Sequence, residues 1–321
     1  MRKLLILLTL MLGTKLLYAQ QDAQQSQYMF NGIYINPAYA GYKENLNLHA
    51  FYRAQWTGIE GAPRSMSLAV DAIANNGNVG LALQISSDKL GAQNNLAAYA
   101  NYAYRLRMND DGTSRLAFGL GLGVMQLGMN GAMLNPNDPE PNQPTGNIST
   151  IIPDGRLGVY YSDNKFYAGF SADNLISQYI NVRKDGFIAQ PRPHYYLTSG
   201  ILIPVSGEVL FKPSFLLKDD RGGPTSLDIN AFILLGEKVW LGGSYRTGIK
   251  LYDKKYLQSN LSSLNSVVAA VELFPVENIR VGYAYDFSVG ALKGYSAGTH
   301  EISIGLYFKT KSSRMFTPRY F

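Results

Sequence analysis

The sequence predicts an all-β protein, a transmembrane outer-membrane β-barrel of about 14 antiparallel strands. Short stretches in which apolar residues alternate with small or polar ones recur from Leu46 almost to the end of the chain. A period of two gives each strand two unlike faces, as a barrel between lipid and water requires. Outside the first 20 positions there is no apolar run of about 18 residues, the length of a transmembrane helix.

The first residues predict a signal peptide over residues 1–19. Arg2 and Lys3 form a basic start, residues 4–12 are apolar, and Ala19 marks the expected cleavage site. The alternative is a buried N-terminal helix. Cleavage would remove three basic residues and lower the net charge from +6 to +3, so the charge gives no argument for a nucleic-acid partner.

Residues 20–45 are predicted to form an N-terminal periplasmic or plug-like segment. The pair Asn36-Pro37 restricts Asn36 to an extended or turn conformation, and Gly41 suits a turn. The aromatic residues Tyr28, Phe30, Tyr34 and Tyr39 indicate that the segment packs inside the barrel or at its periplasmic mouth. The candidate packed motif comprises Tyr28, Asn31, Asn36, Pro37, Tyr39 and Gly41. The alternative is a flexible lead-in to the first strand.

The barrel itself is predicted over residues 46–308. The predicted strands are 46–56, 64–72, 78–87, 94–107, 114–127, 153–161, 166–174, 194–203, 209–218, 226–235, 238–247, 266–273, 278–287 and 300–308. Fourteen is an even number, which a closed antiparallel barrel requires. Pro213 lacks a backbone donor and predicts a bulge or local break in the ninth strand.

The lengths of the connections predict the orientation of the barrel. The longest connections, 128–152, 175–193, 248–265 and 288–299, all follow odd-numbered strands. Because outer-membrane barrels have short periplasmic turns and longer outer loops, we expect these four outside and both termini in the periplasm. Loop 175–193 is open to two interpretations, a docking surface or a loop folded over the mouth.

The alternation also predicts which side chains face the lumen. The apolar face includes Leu81, Leu83 and Ile85, whereas the opposite face carries charges of both signs. The predicted lumen residues are Arg53, Asp71, Gln84, Arg105, Lys212, Asp228, Arg246, Glu272, Arg280, Asp286 and Glu301. A charge facing lipid at mid-bilayer costs about 2–4 kcal/mol, so this face points inward. We expect a hydrated, mixed-charge lumen, with room for a plug.

The sequence predicts no catalytic, cofactor or metal site. The chain has no cysteine, which excludes disulfides and cysteine-ligated metal centres. Its three histidines are His49, His194 and His300, and the topology separates His49 from the other two. His300 and Glu301 are neighbours in a strand, so they point to opposite faces and cannot share a site directly.

The C-terminal residues 309–321 are predicted to form a periplasmic tail. They contain several basic residues and end in Arg319, Tyr320 and Phe321, which are the candidate contacts to periplasmic partners.

These residues together resemble the PorP/SprF family of outer-membrane proteins of the type IX secretion and gliding-motility system. The motifs that carry the resemblance are Gln27-Tyr28 with Asn31, Asn36-Pro37-Ala38-Tyr39-Ala40-Gly41, Arg53 with Gln55-Trp56, His194-Tyr195, Lys212-Pro213-Ser214, Gly282 to Phe287, His300 to Gly305, and the closing Pro318 to Phe321. They extend over nearly the whole mature chain, so the set is specific although each motif alone is weak.

The resemblance implies a non-enzymatic barrel that works with secretion machinery. Its implied partners are outer-membrane lipid, the C-terminal domain of a secreted cargo or adhesin, and periplasmic secretion or peptidoglycan-binding components, with no cofactor. The leading hypothesis is therefore docking or anchoring of cargo at the cell surface. The alternative is an outer-membrane channel or transporter for small solutes, which the polar inner face permits.

Overall fold

The chain forms a closed barrel of 14 antiparallel strands, which confirms the predicted fold class. The structure, a computed structural model, describes residues 24–134, 144–182, 188–254, 265–289 and 294–308. The predicted signal peptide 1–19 and the predicted tail 309–321, with Arg319, Tyr320 and Phe321, lie outside these ranges. Among the described residues no helix is both long and apolar enough to span a membrane.

Each strand pairs with its neighbours in the chain, and the first and last strands close the ring from Leu46 opposite Phe308 to Ala54 opposite His300. The strands are β1 Leu46–Ala54, β2 Arg64–Ala74, β3 Val79–Leu90, β4 Gln93–Arg107, β5 Arg115–Asn130, β6 Asn147–Ser162, β7 Phe166–Asp173, β8 in two segments His194–Ile201 and Ile203–Ser206, β9 Val209–Asp219, β10 Thr225–Leu235, β11 Val239–Ile249, β12 Ser266–Val276, β13 Ile279–Ser288 and β14 Thr299–Phe308. Short 3₁₀ turns lie at Tyr28–Phe30, Gly32–Tyr34, Pro37–Tyr39, Asn75–Gly77, Gly131–Met133 and Ser177–Tyr179.

The local break predicted at Pro213 lies in the ladder between β8 and β9. Strand β9 keeps a continuous register with β10 through Pro213 opposite Ala231. The interruption falls in β8 at Leu202, between the pairs Ser214–Gly200 and Phe211–Ile203. Pro213 has no N–H to donate, so the ladder between β8 and β9 opens there, and the Leu202 amide donates to the Lys165 carbonyl at 2.6 Å.

The two faces of the barrel are as predicted. Outward residues such as Leu83 and Ile85 are 62% and 53% exposed, which suits contact with lipid. All eleven residues predicted to face the lumen are buried.

The barrel has a short-turn end and a long-loop end. At the short-turn end the connections are only a few residues long, for example 75–78, 163–165 and 207–208. At the other end lie 131–146, 174–193, 250–265 and 289–298. Strand β6 begins at Asn147, earlier than predicted, because residues 147–152 continue the ladder with β5 beyond Val124. The hairpin of β5 and β6 is therefore longer than most others.

The described parts of loop 174–193 fold over the mouth at the long-loop end. Its Val182 is buried against Leu127 and Ile152 of the β5–β6 hairpin, and Ile180 and Ile188 pack beside them. The side chain of Gln190 donates to the carbonyl oxygens of Ile180 and Ser177 at 2.8 and 3.1 Å and accepts from the Val182 amide at 3.3 Å. Of the two sequence-based interpretations, the described part of this loop fits the fold over the mouth.

Candidate functional site

The lumen of the barrel is occupied by residues 24–45, here called the lumen segment. Three consecutive 3₁₀ turns make the segment compact, and every residue from Ser26 to Asn45 is buried except Gly32, which is half-buried. Ile33 and Ala40 have no exposed surface. The main hydrophobic cluster of the protein consists of this segment and the inward residues of the surrounding strands.

The Asn36-Pro37 pair fixes the middle of the lumen segment. Asn36 is extended, with φ −147° and ψ 116°, as predicted for a residue before proline, and its side-chain oxygen caps the next turn by accepting from the Ala38 amide at 2.9 Å. Its Nδ2 donates to the Val159 carbonyl oxygen of β6 at 3.0 Å and to that of Phe170 in β7 at 3.3 Å. One side chain therefore holds both the local turn and its position against the wall.

Glycines on the wall make room for the turn that follows. A methyl group at Gly80 would come within 2.5 Å of the Ala40 carbonyl carbon, and one at Gly119 within 2.5 Å of the Ala38 Cα. Both close neighbours are backbone atoms, which cannot rotate away. Gly41 has φ +70°, a conformation that favours glycine, and its amide donates to Asp71 at 3.2 Å.

Aromatic rings fill the remaining space between the segment and the wall. The Tyr28 hydroxyl pairs with Asn230 at 3.1 Å, and the Tyr34 hydroxyl lies 2.8 Å from Nδ1 of His49. The other ring contacts are Phe30 with Phe232 and Trp240, Tyr34 with Phe51, and Tyr39 with Tyr42 and Tyr160.

Four buried cations of the wall bind backbone carbonyl oxygens of the lumen segment. Lys212 donates to the Met29 carbonyl at 3.0 Å, and Arg280 donates to the Phe30 carbonyl at 2.8 Å. Arg156 and Arg246 bind two further carbonyl oxygens, of Tyr34 at 2.9 Å and of Gln25 at 3.1 Å. An irregular segment leaves backbone groups unpaired, and these side chains satisfy them in place of water.

A charge cluster at the closing seam holds the beginning of the segment. Arg53 of β1 contacts Asp286 at 2.7 Å and Glu301 at 2.9 Å, and it donates to the Ser26 hydroxyl at 2.7 Å. Glu301 in turn accepts from the backbone amides of Ser26 and Gln27 at 2.8 and 2.9 Å. The segment therefore joins the first strand and the last two strands of the barrel.

A second cluster holds the end of the segment at the short-turn end. Glu44 contacts Arg105 at 3.1 Å and Arg115 at 2.6 Å. Both arginines also donate to the Gly77 carbonyl oxygen, at 3.2 and 2.9 Å. Burial lowers the pKa of the adjacent Lys43, and nearby Arg280 lowers it further.

The segment therefore runs from the long-loop end to the short-turn end before β1 begins. Gln24 lies beside Gln55, Trp56 and Thr299, residues at the long-loop end, while Glu44 lies at the opposite end. If the long loops lie outside, Gln24 also lies toward the outside, and not on the periplasmic side.

A cavity of about 150 Å³ remains between the lumen segment and loop 174–193. The floor comes from Tyr28, Tyr34 and Ile35, and Pro191 and Arg192 contribute from the loop. Wall side chains of both signs line its sides, including the ion pair of Arg156 with Asp173 at 2.9 Å. The cavity can hold water or a small polar group.

All six candidate residues of the N-terminal motif lie in the lumen. The structure brings Tyr28, Asn31, Asn36, Pro37, Tyr39 and Gly41 into one buried segment. Sequence reasoning missed Ser26 and Glu44, whose partners lie far away in the chain, and it missed that Gly80 and Gly119 face backbone. The run of glycines on the inner face of β5 was the sequence signal from which a close approach of another backbone could have been predicted.

No three His, Asp or Glu residues of the described ranges form a group that could hold a metal ion. His300 faces outward, with Nδ1 2.8 Å from the Tyr283 hydroxyl, and Glu301 is buried on the inner side. Alternation along β14 predicted this separation.

Comparisons with known proteins agree with the fold. A family model described as "Type IX secretion system membrane protein PorP/SprF" matches residues 17–306. The solved "CymD monoaromatic hydrocarbon channel" is similar in fold, with a TM-score of 0.53 and 11% identity over 89% of this chain and 94% of that chain. Omp33 of Acinetobacter baumannii gives a TM-score of 0.44 and 6% identity over 83% and 100%. No curated protein matches the sequence.

Proposed function

The chain belongs to the PorP/SprF family of type IX secretion system membrane proteins, and we propose that it serves that system as a non-enzymatic docking protein. Its barrel would anchor a secreted cargo or adhesin at the cell surface through the long-loop end. Residues at the short-turn end, together with the C-terminal tail that includes Arg319, Tyr320 and Phe321, would meet periplasmic machinery.

The observation that carries this proposal is the filled lumen. Residues 24–45 occupy the barrel interior, and buried charges of the wall pair with one another and with the segment. A lumen built this way gives rigidity to the barrel and leaves recognition to the two ends. Barrels of this size with polar, open interiors conduct solutes. In this barrel the inward polar groups instead contact one another and the lumen segment.

The proposed orientation places the long-loop end outside. Connections 131–146, 250–265 and 289–298 would then form the surface for cargo. In this orientation Gln24 lies toward the outside and Glu44 toward the periplasm. The periplasmic placement of the tail remains part of the proposal.

A pull-down from the native outer membrane tests the proposal. The tagged protein would be extracted in mild detergent and its partners identified by mass spectrometry, with an unrelated tagged barrel as control. We expect at least one secreted surface protein and one secretion-system component, absent from the control. Recovery of barrel-assembly factors alone would contradict docking.

The alternative function is a channel or transporter for small solutes. A liposome-swelling assay with a small sugar separates the two functions, because a channel admits the sugar and a filled barrel does not. Swelling comparable to that of a general porin would favour transport. The similarity to a hydrocarbon channel shows a shared fold only.

A further inference from the structure

Two exposed cations face the lipid side of the barrel in direct register. Arg64 begins β2 and lies opposite Lys89 of β3. Both continue the outward rows of their strands, which include Met66 and Leu68 on β2 and Ile85 on β3. Directly opposite residues of an antiparallel pair have Cβ atoms about 4.5–5.5 Å apart, so the two side chains leave the barrel side by side.

This arrangement is unfavourable unless an anion is present. Like charges directly opposite each other destabilise a sheet. Among the described residues, the side chains of Arg64 and Lys89 have no hydrogen-bond or ion-pair partner. By contrast, where Arg107 of β4 lies opposite Arg115 of β5, both side chains have partners, the Asn76 carbonyl oxygen at 2.9 Å and Glu44 at 2.6 Å.

The position of Arg64 and Lys89 relative to the outward apolar residues places them at the edge of the apolar band. The next two outward residues of β2 are Met66, which is 51% exposed, and Leu68, which is 50% exposed. The pair therefore lies just above the apolar band, at the long-loop end of the barrel. Ala54 is the β1 neighbour of Arg64 in the same row, and its small side chain leaves space beside the guanidinium.

We infer that Arg64 and Lys89 form a binding site for a phosphate group of an outer-leaflet glycolipid, lipid A. The guanidinium offers a planar fork for two phosphate oxygens and the ammonium adds a compact charge. Acyl chains of the same lipid would lie along Met66, Leu68 and Ile85. The inference rests on the proposed orientation, because the pair meets the outer leaflet only if the long-loop end is outside.

The test measures lipid binding to the purified full-length barrel in lipid-free detergent by native mass spectrometry. Lipid A, its dephosphorylated form, phosphatidylglycerol and inorganic phosphate serve as separate probes. An interaction near a membrane surface is worth about 1 kcal/mol per basic residue, so R64Q/K89Q should weaken lipid A binding by about 25-fold. The matched control K165Q/K238Q removes two exposed lysines from the short-turn end and should leave binding unchanged.

The inference predicts a ranking of the probes and no loss of stability in the variant. Lipid A should bind more tightly than each other probe. R64Q/K89Q should be at least as stable as the natural protein in lipid-free detergent, because the repulsion between the two cations is removed. Equal binding of lipid A by both proteins, or equal binding of its dephosphorylated form, would overturn the site. Preference for phosphatidylglycerol would contradict both the choice of lipid A and the proposed orientation. It would leave the docking proposal intact, because the pull-down tests docking separately.

Discussion

Replacing Gly80 by alanine is the sharpest perturbation of the packed lumen. The new methyl group would come within 2.5 Å of the Ala40 carbonyl carbon, whereas ordinary contact begins at 3.4 Å. Because the Ala40 carbonyl oxygen lies closer still to the new methyl group, the backbone at Ala40 must move by more than about 1 Å, which stretches the 3.2 Å bond between the Gly41 amide and Asp71.

The cost follows from these two effects. Overpacking costs about 1–3 kcal/mol, and losing a hydrogen bond to a charged group costs about 1.5–3 kcal/mol. Alanine recovers about 0.5–1 kcal/mol through the lower entropy of the unfolded chain. We therefore expect Gly80→Ala to reduce the free energy of unfolding by about 2–5 kcal/mol.

Urea unfolding in lipid vesicles measures this change. Trp240 is fully buried beside Phe30 of the lumen segment, so its fluorescence reports loss of the packed interior. Gly207→Ala is the matched control, because a methyl group at Gly207 meets nothing within 4 Å. If Gly80→Ala were as stable as Gly207→Ala, the segment would not lie against this wall.

Three further predictions concern the polar contacts of the interior. Arg53→Met should lower the free energy of unfolding by about 3–5 kcal/mol in the same assay, because it strips a buried partner from Asp286 and Glu301; an effect no larger than that of Gly207→Ala would refute the seam cluster. Glu44→Gln should cost about 1.5–3 kcal/mol by weakening the bonds from Arg105 and Arg115, whereas Asp253→Asn in an exposed pair should change nothing measurable. Gln190→Leu should speed limited proteolysis in loop 174–193 without altering global unfolding, because this side chain bonds only to that loop; protection equal to that of the natural protein would contradict its role.

The sequence was sufficient for the wall of the barrel because strand alternation is a local property. Arg53 and Glu301 were assigned inward from their own neighbours, and the structure buries both. Their mutual contact was not predictable, since the two positions lie 248 residues apart in the chain and meet only when the ring closes.

The course of the lumen segment was beyond sequence reasoning for a different reason. Its three short 3₁₀ turns have no hydrophobic periodicity from which a buried face could be predicted. Its backbone groups form hydrogen bonds with residues of distant strands. The absent N–H of Pro213 predicted a ladder defect, but which of two paired strands breaks depends on their register. Burial of aromatic residues was the part of the site that composition alone indicated.

Planar-bilayer recording of the purified natural protein tests the filled lumen most directly. With residues 24–45 packed against the wall as described, the account predicts no steady conductance above that of the bare membrane. A stable open conductance, reproducible from one insertion to the next, would contradict the central claim that the lumen segment closes the barrel.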